Sequence, residues 1–437
     1  MVHSSSRRDR LLPTACPTAY HPTTLTLSGD HEGCAMSERA LDNPRLQAGF
    51  VPADPDLISA VRRRSIMLWG TPPDLIAAAP GRIEIVGNHI DYNGGDVLAA
   101  AIDRWVVVAG RHRNDGLLRV MAADLATATV TIPVSEAREF DARNRPISPN
   151  HAAFVGAHAQ AVVAAMAAAG IQSSGADLYY RGTIPQGAGL SSSSALLTGL
   201  VAVIVGLAGE ERDRLELARL AQQAEHRIGA PVGLLDQTAA VVGGYLRFSN
   251  DTARVALLDA QPLDAVFVVC DSGVRHGMPG SRYRIRVREC EHALALLRQA
   301  GYEIDTLADL PFDSLGAALA VLPEPLDARV QHVVDEVDRV RRAETAIVTG
   351  DLDELGALMN ASGVSSATLC DISHPAVETV VEKARAVNGV YGARMMGGGD
   401  GGAALILVRR AAVDTLRARF PEHSITVCRI ARGMVVG

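Results

Sequence analysis

Gly187 to Leu197 reads GAGLSSSSALL, and three properties coincide there. Small residues crowd a turn, four serines follow, and an apolar helix begins without a break. Glycines let a backbone come close to a ligand, and the first N–H groups of a helix have no partners within it. The helix dipole adds roughly half a positive charge at that end, so the stretch reads as an anion site suited to a polyphosphate. A serine-rich helix start is often only a cap. Gly187, Gly189, the unbroken serine run and the apolar helix behind it raise this one above that reading.

What the stretch lacks narrows the answer further. A Walker A loop needs a lysine followed by Ser or Thr after its glycines, and Lys383 is the only lysine in the chain. Protein kinases need a strand lysine and a DFG aspartate, and neither is present. A Rossmann fingerprint would open a helix, whereas the glycine cluster GGGDGG at Gly397–Gly402 precedes an apolar strand. An ATP user of this kind must offset phosphate charge with Mg2+, a helix N-terminus and arginine.

Two further Gly-rich elements stand in the chain. APGRIEIVGNHIDYNGG, from Ala79 to Gly95, is a strand running into a loop that carries Arg82, Asn88, His89, Asp91 and Tyr92. So many hydrogen-bonding groups just past a strand suit a polyhydroxylated small molecule, although any one of them alone would be an ordinary polar turn. RMMGGGDGGAALILV, from Arg394 to Val408, reads as a tight turn or as backbone close to a ligand.

The bulk numbers fit a globular enzyme. The chain has 437 residues, 48% hydrophobic and 21% charged, enough for two or three domains with substantial cores. A net charge of −7 argues against a nucleic-acid or membrane-binding face. Six cysteines (Cys16, Cys34, Cys270, Cys290, Cys370, Cys428) form no CxxC pair, which suits a reducing, cytoplasmic location. The longest apolar run, around Leu196 to Ala208, is too short to span a bilayer. No hydrophobic segment follows Arg7 and Arg8 as an export signal would require.

Residues 1 to about 45 have no sustained apolar period and read as a disordered extension, with Met36 as an alternative start. Alternating strand patterns begin at Leu75. His151 to Ala169 has helical spacing up to Gly170, and ADLYYRGTI leads into the Gly/Ser loop and a helix from about Ser193 to Leu207. Leu215 to Ile228 is a further amphipathic helix. AVFVVCDSGV opens a second half that alternates again to a final strand near Ser424. Two α+β lobes, 46–255 and 256–437, with a cleft between them are expected.

The three elements together resemble the GHMP kinases, and the galactokinase branch in particular. The galactokinase segment GRvNLIGEHTDYNgG stands here as GRIEIVGNHIDYNGG, PxGxGLSSSA as PQGAGLSSSSA from Pro185, and tGGGfGGc as MGGGDGGA. An AE…MDQ pattern appears as AEHRIG…LLDQ, and VRHxLxxSEYxxRR as VRHGMPGSRYRIR. Order and spacing agree over roughly residues 60 to 437.

The resemblance implies a two-lobed GHMP kinase fold, with a ribosomal-S5-like N-terminal lobe, a ferredoxin-like C-terminal lobe and the active site in the cleft. It implies transfer of the ATP γ-phosphoryl group to the anomeric hydroxyl of a galactose-like sugar. Asp236 matches the catalytic aspartate that takes the hydroxyl proton, and Arg82 the arginine beside it. Gly187, Ala188, Gly189, Leu190, Ser191, Ser192 and Ser193 match the loop around the ATP phosphates. Ser193 and Glu225 match the two side chains that hold Mg2+. Asn88, His89, Ile90, Asp91 and Tyr283 match the sugar-binding positions. Sugar and ATP are then the partners, with no nucleic acid, membrane or obligatory protein partner implied.

Asn88 stands where galactokinases carry a glutamate that accepts from the sugar's C6 hydroxyl. Asparagine keeps an acceptor, adds a donor and loses the charge, so galacturonate and L-arabinose compete with galactose as substrates. Asp400 replaces a common phenylalanine, and Ala361 to Ser373 departs from the family's Ser-His pattern. Another GHMP activity, such as mevalonate or homoserine kinase, is opposed by the HIDYNGG segment and the context of Tyr283. A galactokinase-like sugar sensor is a third reading, against which the retained Asp236, Arg82, Ser193 and Glu225 argue.

Overall fold

The structure, a computed structural model, describes residues 23–25, 49–123, 129–143, 151–185, 187–230, 232–250, 254–260, 263–274 and 281–437. The first part of the chain runs β1 (Thr23–Leu25), α1 (Pro55–Trp69), β2 (Leu75–Val86), β3 (Asp96–His112), β4 (Leu117–Ala122), β5 (Val130–Pro133), α2 (Val134–Arg138), α3 (His151–Ala168) and β6 (Ala176–Gly182). It continues with α4 (Ser192–Leu207), α5 (Arg214–Arg227), α6 (Leu235–Val242), β7 (Tyr245–Ser249) and β8 (Arg254–Leu257). The second part runs β9 (Ala265–Asp271), α7 (Ser281–Gln299), α8 (Leu315–Leu319), α9 (Leu326–Thr349), α10 (Leu352–Thr368), α11 (Pro375–Arg385), β10 (Val390–Met396), β11 (Ala403–Arg409), α12 (Val413–Arg419), β12 (Ile425–Cys428) and β13 (Val435–Val436).

Two sheets organise these elements, as the two-lobed α+β reading requires. The first has the order β1-β8-β7-β3-β6-β4-β5, with β2 paired to β3 and β13 to β2. The second is β10-β11-β9-β12, antiparallel throughout. β13 lies beyond the expected last strand: after β12 the chain returns to the first sheet, where Val435 and Val436 pair with Ala78 and Ala77. Of the expected disordered extension, Thr23–Leu25 falls within the described residues and pairs antiparallel with Leu257–Val255. The rest of it, Met36 included, lies outside them.

Helix α4 is apolar all round, so it belongs in the interior. Ser194 through Val205 are buried, and the helix packs on β2, β3 and α5. Each fully covered Leu, Val or Ile there contributes about 1.5–3 kcal/mol, which holds the Gly/Ser turn at its N-terminus fixed. Helix α5 starts with a capping box: Asp213 accepts from Leu215 N (2.8 Å) and Glu216 N (2.7 Å), and Glu216 accepts from Asp213 N (3.0 Å). That register puts Glu225 on the buried face with Ala218, Ala221 and Ala224. Among the described residues no helix is long and apolar enough to cross a membrane. Cys270, Cys290, Cys370 and Cys428 are free and buried.

Candidate active site

Strand β2 carries Arg82 and Glu84 two residues apart, hence on one face of the pleat. The Arg82 guanidinium forks onto Asp236 in the first turn of α6, donating from Nε to Oδ1 (2.8 Å) and from Nη2 to Oδ2 (3.0 Å). Such paired charged bonds fix orientation as well as adding energy. Its remaining Nη1 donates to the Gly189 carbonyl (2.6 Å), and the Arg82 amide donates to Leu190 O (3.3 Å). Gly81 lets the loop sit this close, because a Cβ there would lie 2.6 Å from Leu190 O. Ala188 and Leu190 are buried and anchor the loop from below.

Gly187 and Gly189 have φ of 73° and 69°, and Ser191 follows at 57°. Ser191 precedes α4, yet its hydroxyl does not cap the helix; it donates to Asp236 Oδ2 at 2.6 Å. The first N–H groups of α4, with Ser192 and Ser193 half-buried beside them, remain directed at whatever occupies the loop. Gln186 lies outside the described residues.

Glu225 is 5% exposed, unlike the solvated glutamate that is the default on an amphipathic helix. Its Oε2 accepts from Ser194 Oγ (2.8 Å) and Gln237 Nε2 (2.6 Å), and the Ser193 hydroxyl also bonds to its carboxylate. Burial pushes its carboxyl above the usual range, and the nearby Asp236 charge adds to this. The groups that meet it are hydroxyls and an amide. A hard divalent cation would supply the missing positive charge, with an oxygen-only donor set to match. Among the described residues there is no cluster of three or more His, Cys, Asp or Glu placed to hold a metal. A cation here would complete its shell with water or ligand oxygens.

The loop after β2 is drawn together by the third Gly-rich element. Asn88 is 1% exposed and donates from Nδ2 to Gly397 O (2.9 Å). Its Oδ1 is buried with no partner among the described residues. His89, at φ 60°, meets Gly398 O through Nε2 (3.2 Å) and Tyr92 Oη through Nδ1 (3.0 Å). A carbonyl only accepts, so Nε2 carries the proton and Nδ1 accepts from the tyrosine. Burial holds the imidazole neutral, depressing its pKa to about 3. Both His89 nitrogens are thus engaged by the protein, which makes the ring a support of the site. Tyr283, at the start of α7, stands edge-on to His89 and Tyr92 with centroids 5.1 and 5.4 Å away.

Burial pushes the Asp91 carboxyl up to about 6, and the charge of Glu84 adds to it. Ile90 differs from its neighbours: its side chain is fully buried in the core, and its carbonyl closes the turn to Asn93 N and Gly95 N. Asp400, at φ 60°, pairs with Arg282 (2.7 Å), the neighbour of Tyr283 on α7.

Several residues unmarked by sequence reasoning belong to this neighbourhood. Ser194 and Gln237 support Glu225. Arg394 is fully buried, donates to Ile85 O (2.9 Å) and lies 4.0 Å from Glu84. Burial raises the Glu84 carboxyl despite that arginine. The two-residue spacing from Arg82 was the available signal for Glu84; for Arg394, within the Gly-rich element, there was none.

Three family models match the chain. A galactokinase galactose-binding signature covers residues 67–112, a GHMP kinase N-terminal domain 157–244, and a GHMP kinase C-terminal domain 343–425. A galactokinase of Roseiflexus sp. (strain RS-1) is 36% identical over 391 residues, 86% of this chain and 96% of the relative. One from Streptomyces coelicolor is 35% identical over 80% of this chain and 88% of the relative. Among solved structures, Lactococcus lactis galactokinase complexed with galactose aligns at a TM-score of 0.78 and 26% identity, covering 86% of this chain and 99% of that one. A mevalonate kinase aligns at 0.58 and 16% identity over 81% and 98%, a likeness of fold alone.

Proposed function

Because the chain belongs to the galactokinase branch of the GHMP kinases, we propose that it transfers the γ-phosphoryl group of ATP to the anomeric hydroxyl of galactose. The observation that carries this reading is the Arg82–Asp236 fork beneath the Gly/Ser helix start, with the polar loop of Asn88 to Tyr92 just past the end of the same strand. Asp236 keeps one lone pair free, on Oδ1, beside its three bonds from Arg82 and Ser191, and can orient the sugar hydroxyl and take its proton. Arg82 stabilises that carboxylate and offsets charge on the transferring phosphoryl. The α4 N-terminus and the amides of residues 187–193 cradle the phosphates. Ser193 and Glu225 would hold Mg2+, which supplies charge neutralisation on the phosphate oxygens when bound.

Asn88 bears on which sugar is used. Gly397 O (2.9 Å) and Met395 Sδ (4.0 Å) face the two N–H donors of its amide, so the group it can offer a ligand is the acceptor Oδ1. At the position that the resemblance gives to the C6 substituent, an acceptor pairs with a hydroxyl and opposes a carboxylate, which favours galactose over galacturonate. L-Arabinose lacks that group and would leave Oδ1 unpaired, at about 1–3 kcal/mol. The test is ADP release with galactose, galacturonate, L-arabinose, fucose and N-acetylgalactosamine, for the wild type and Asp236→Ala. The expected result is turnover led by galactose and abolished in the variant with sugar binding retained. Sugar binding without ADP release in the wild type would leave a sensor instead.

A further inference from the structure

Helix α9 belongs to the second half of the chain, yet two of its side chains reach the main chain of the loop after β2. His332 and Glu336 are one helical turn apart and share a face, at 1% and 0% exposure. Glu336 Oε1 accepts from Gly87 N (2.9 Å) and Asn88 N (3.4 Å). Successive amides of this kind form a concavity that takes an anion, and here the anion is a side chain 248 residues on. His332 Nε2 faces the Asn88 carbonyl at 2.9 Å, so it must donate, while Nδ1 accepts from Ser365 Oγ at 2.8 Å. Both main-chain polar groups of Asn88 therefore end on α9.

The surroundings fix these two side chains. Ser362 of α10 donates to the same Oε1, and Arg339 pairs with Oε2. Burial opposes the Glu336 charge, but Arg339, His332, Arg394 and the Ser362 hydroxyl together outweigh it and hold the carboxyl down at about 2. Gly87 sits at φ 103°, where a Cβ would come within 2.8 Å of Val97 Cα and 3.2 Å of Val340 Cγ2. The turn is closed on β3 at one side and on α9 at the other.

We propose that Glu336, keyed by His332, is a positioning residue for sugar recognition: it sets the peptide planes of Gly87 and Asn88 and so aims the Asn88 side chain and the turn that leads to Asp91. It acts through the loop and touches neither substrate. The kinetic part of this inference rests on the galactokinase reading above; the structural part does not.

Two variants separate reach from charge. Glu336→Asp keeps the charge and withdraws the acceptor from the two amides by one methylene. Glu336→Gln keeps the acceptor and loses the charge. Hydrogen exchange on the sugar-free protein should show residues 83–90 exchanging about tenfold faster in the aspartate variant, with residues 187–197 unchanged. Its KM for galactose should rise about fivefold or more while KM for ATP stays within about twofold, and the glutamine variant, which keeps Oε1 on the amides but turns an NH2 to Arg339, should lose less than the aspartate variant in both readouts.

Unchanged exchange across 83–90 in the aspartate variant, a parallel rise in both KM values, or an equal loss in the glutamine variant would overturn the proposal. Should the aspartate variant fail to fold, His332→Leu, which takes the donor from the Asn88 carbonyl, is judged by the same exchange and KM criteria. If the wild type releases no sugar-dependent ADP, the kinase reading fails, and the exchange measurement still decides the role of Glu336.

Discussion

Arg82 and Asp236, 154 residues apart, face each other through two parallel N–H···O bonds of 2.8 and 3.0 Å. A lysine cannot reproduce that fork, nor keep a third donor on Gly189 O. Arg82→Lys should therefore lower kcat for sugar-dependent ADP release by about 10²–10³-fold. Steady-state kinetics check this, and a change confined to KM would assign Arg82 to binding.

Ser194 gives a contrasting case, since it supports Glu225 from within the helix core. Ser194→Ala leaves a buried carboxylate oxygen short of one donor, at about 1–3 kcal/mol. The unfolding midpoint should fall, and half-maximal activity should need a different Mg2+ concentration. An unchanged midpoint and Mg2+ dependence would remove Ser194 from the site's support.

Asp91 and His89 pull stability in opposite directions with pH. Asp91 is raised from 3.8 to about 6, so its contribution is full below pH 3.8 and is lost as pH rises through 6. His89 is lowered from 6.5 to about 3, so its contribution is present above pH 6.5 and is lost as pH falls through 3. Asp91→Asn removes only the first effect. The variant should unfold at a higher temperature than wild type at pH 7, with the advantage shrinking towards pH 4, while sugar turnover drops. Thermal scans across pH 4–7 test this, and a pH-independent offset would contradict it.

Asn88→Ala removes the lone acceptor Oδ1 along with the bond to Gly397 O. The ratio of kcat/KM for galactose over L-arabinose should fall by about tenfold, the worth of one unpaired polar group. Competition between the two sugars in one assay measures that ratio, and an unchanged ratio would place the C6 contact elsewhere.

Much of the site was legible because its residues cluster in sequence. The Gly/Ser turn, its helix and the loop from Asn88 to Tyr92 each signal themselves locally. Glu225 could have been read more strongly, since its spacing from Ala218 and Ala221 puts a carboxylate on an apolar face. His332 and Glu336 were not legible: on a long helix rich in charges, an i, i+4 pair looks like a solvated stripe, and only the tertiary fold buries it. The orientation of the Asn88 amide depended on a carbonyl 309 residues away. The third Gly-rich element read as a tight turn or as backbone near a ligand; its carbonyls at Gly397 and Gly398 hold Asn88 and His89.

The return of β13 to β2 makes the first sheet discontinuous in sequence, with β9 to β12 threaded between its parts. Topologically, the second sheet and its helices are an insertion. One cut between β8 and β9 would leave two fragments still stitched through a shared sheet, a few residues from Arg82. The two halves are thus interlocked pieces, the second ending as an edge strand of the first sheet.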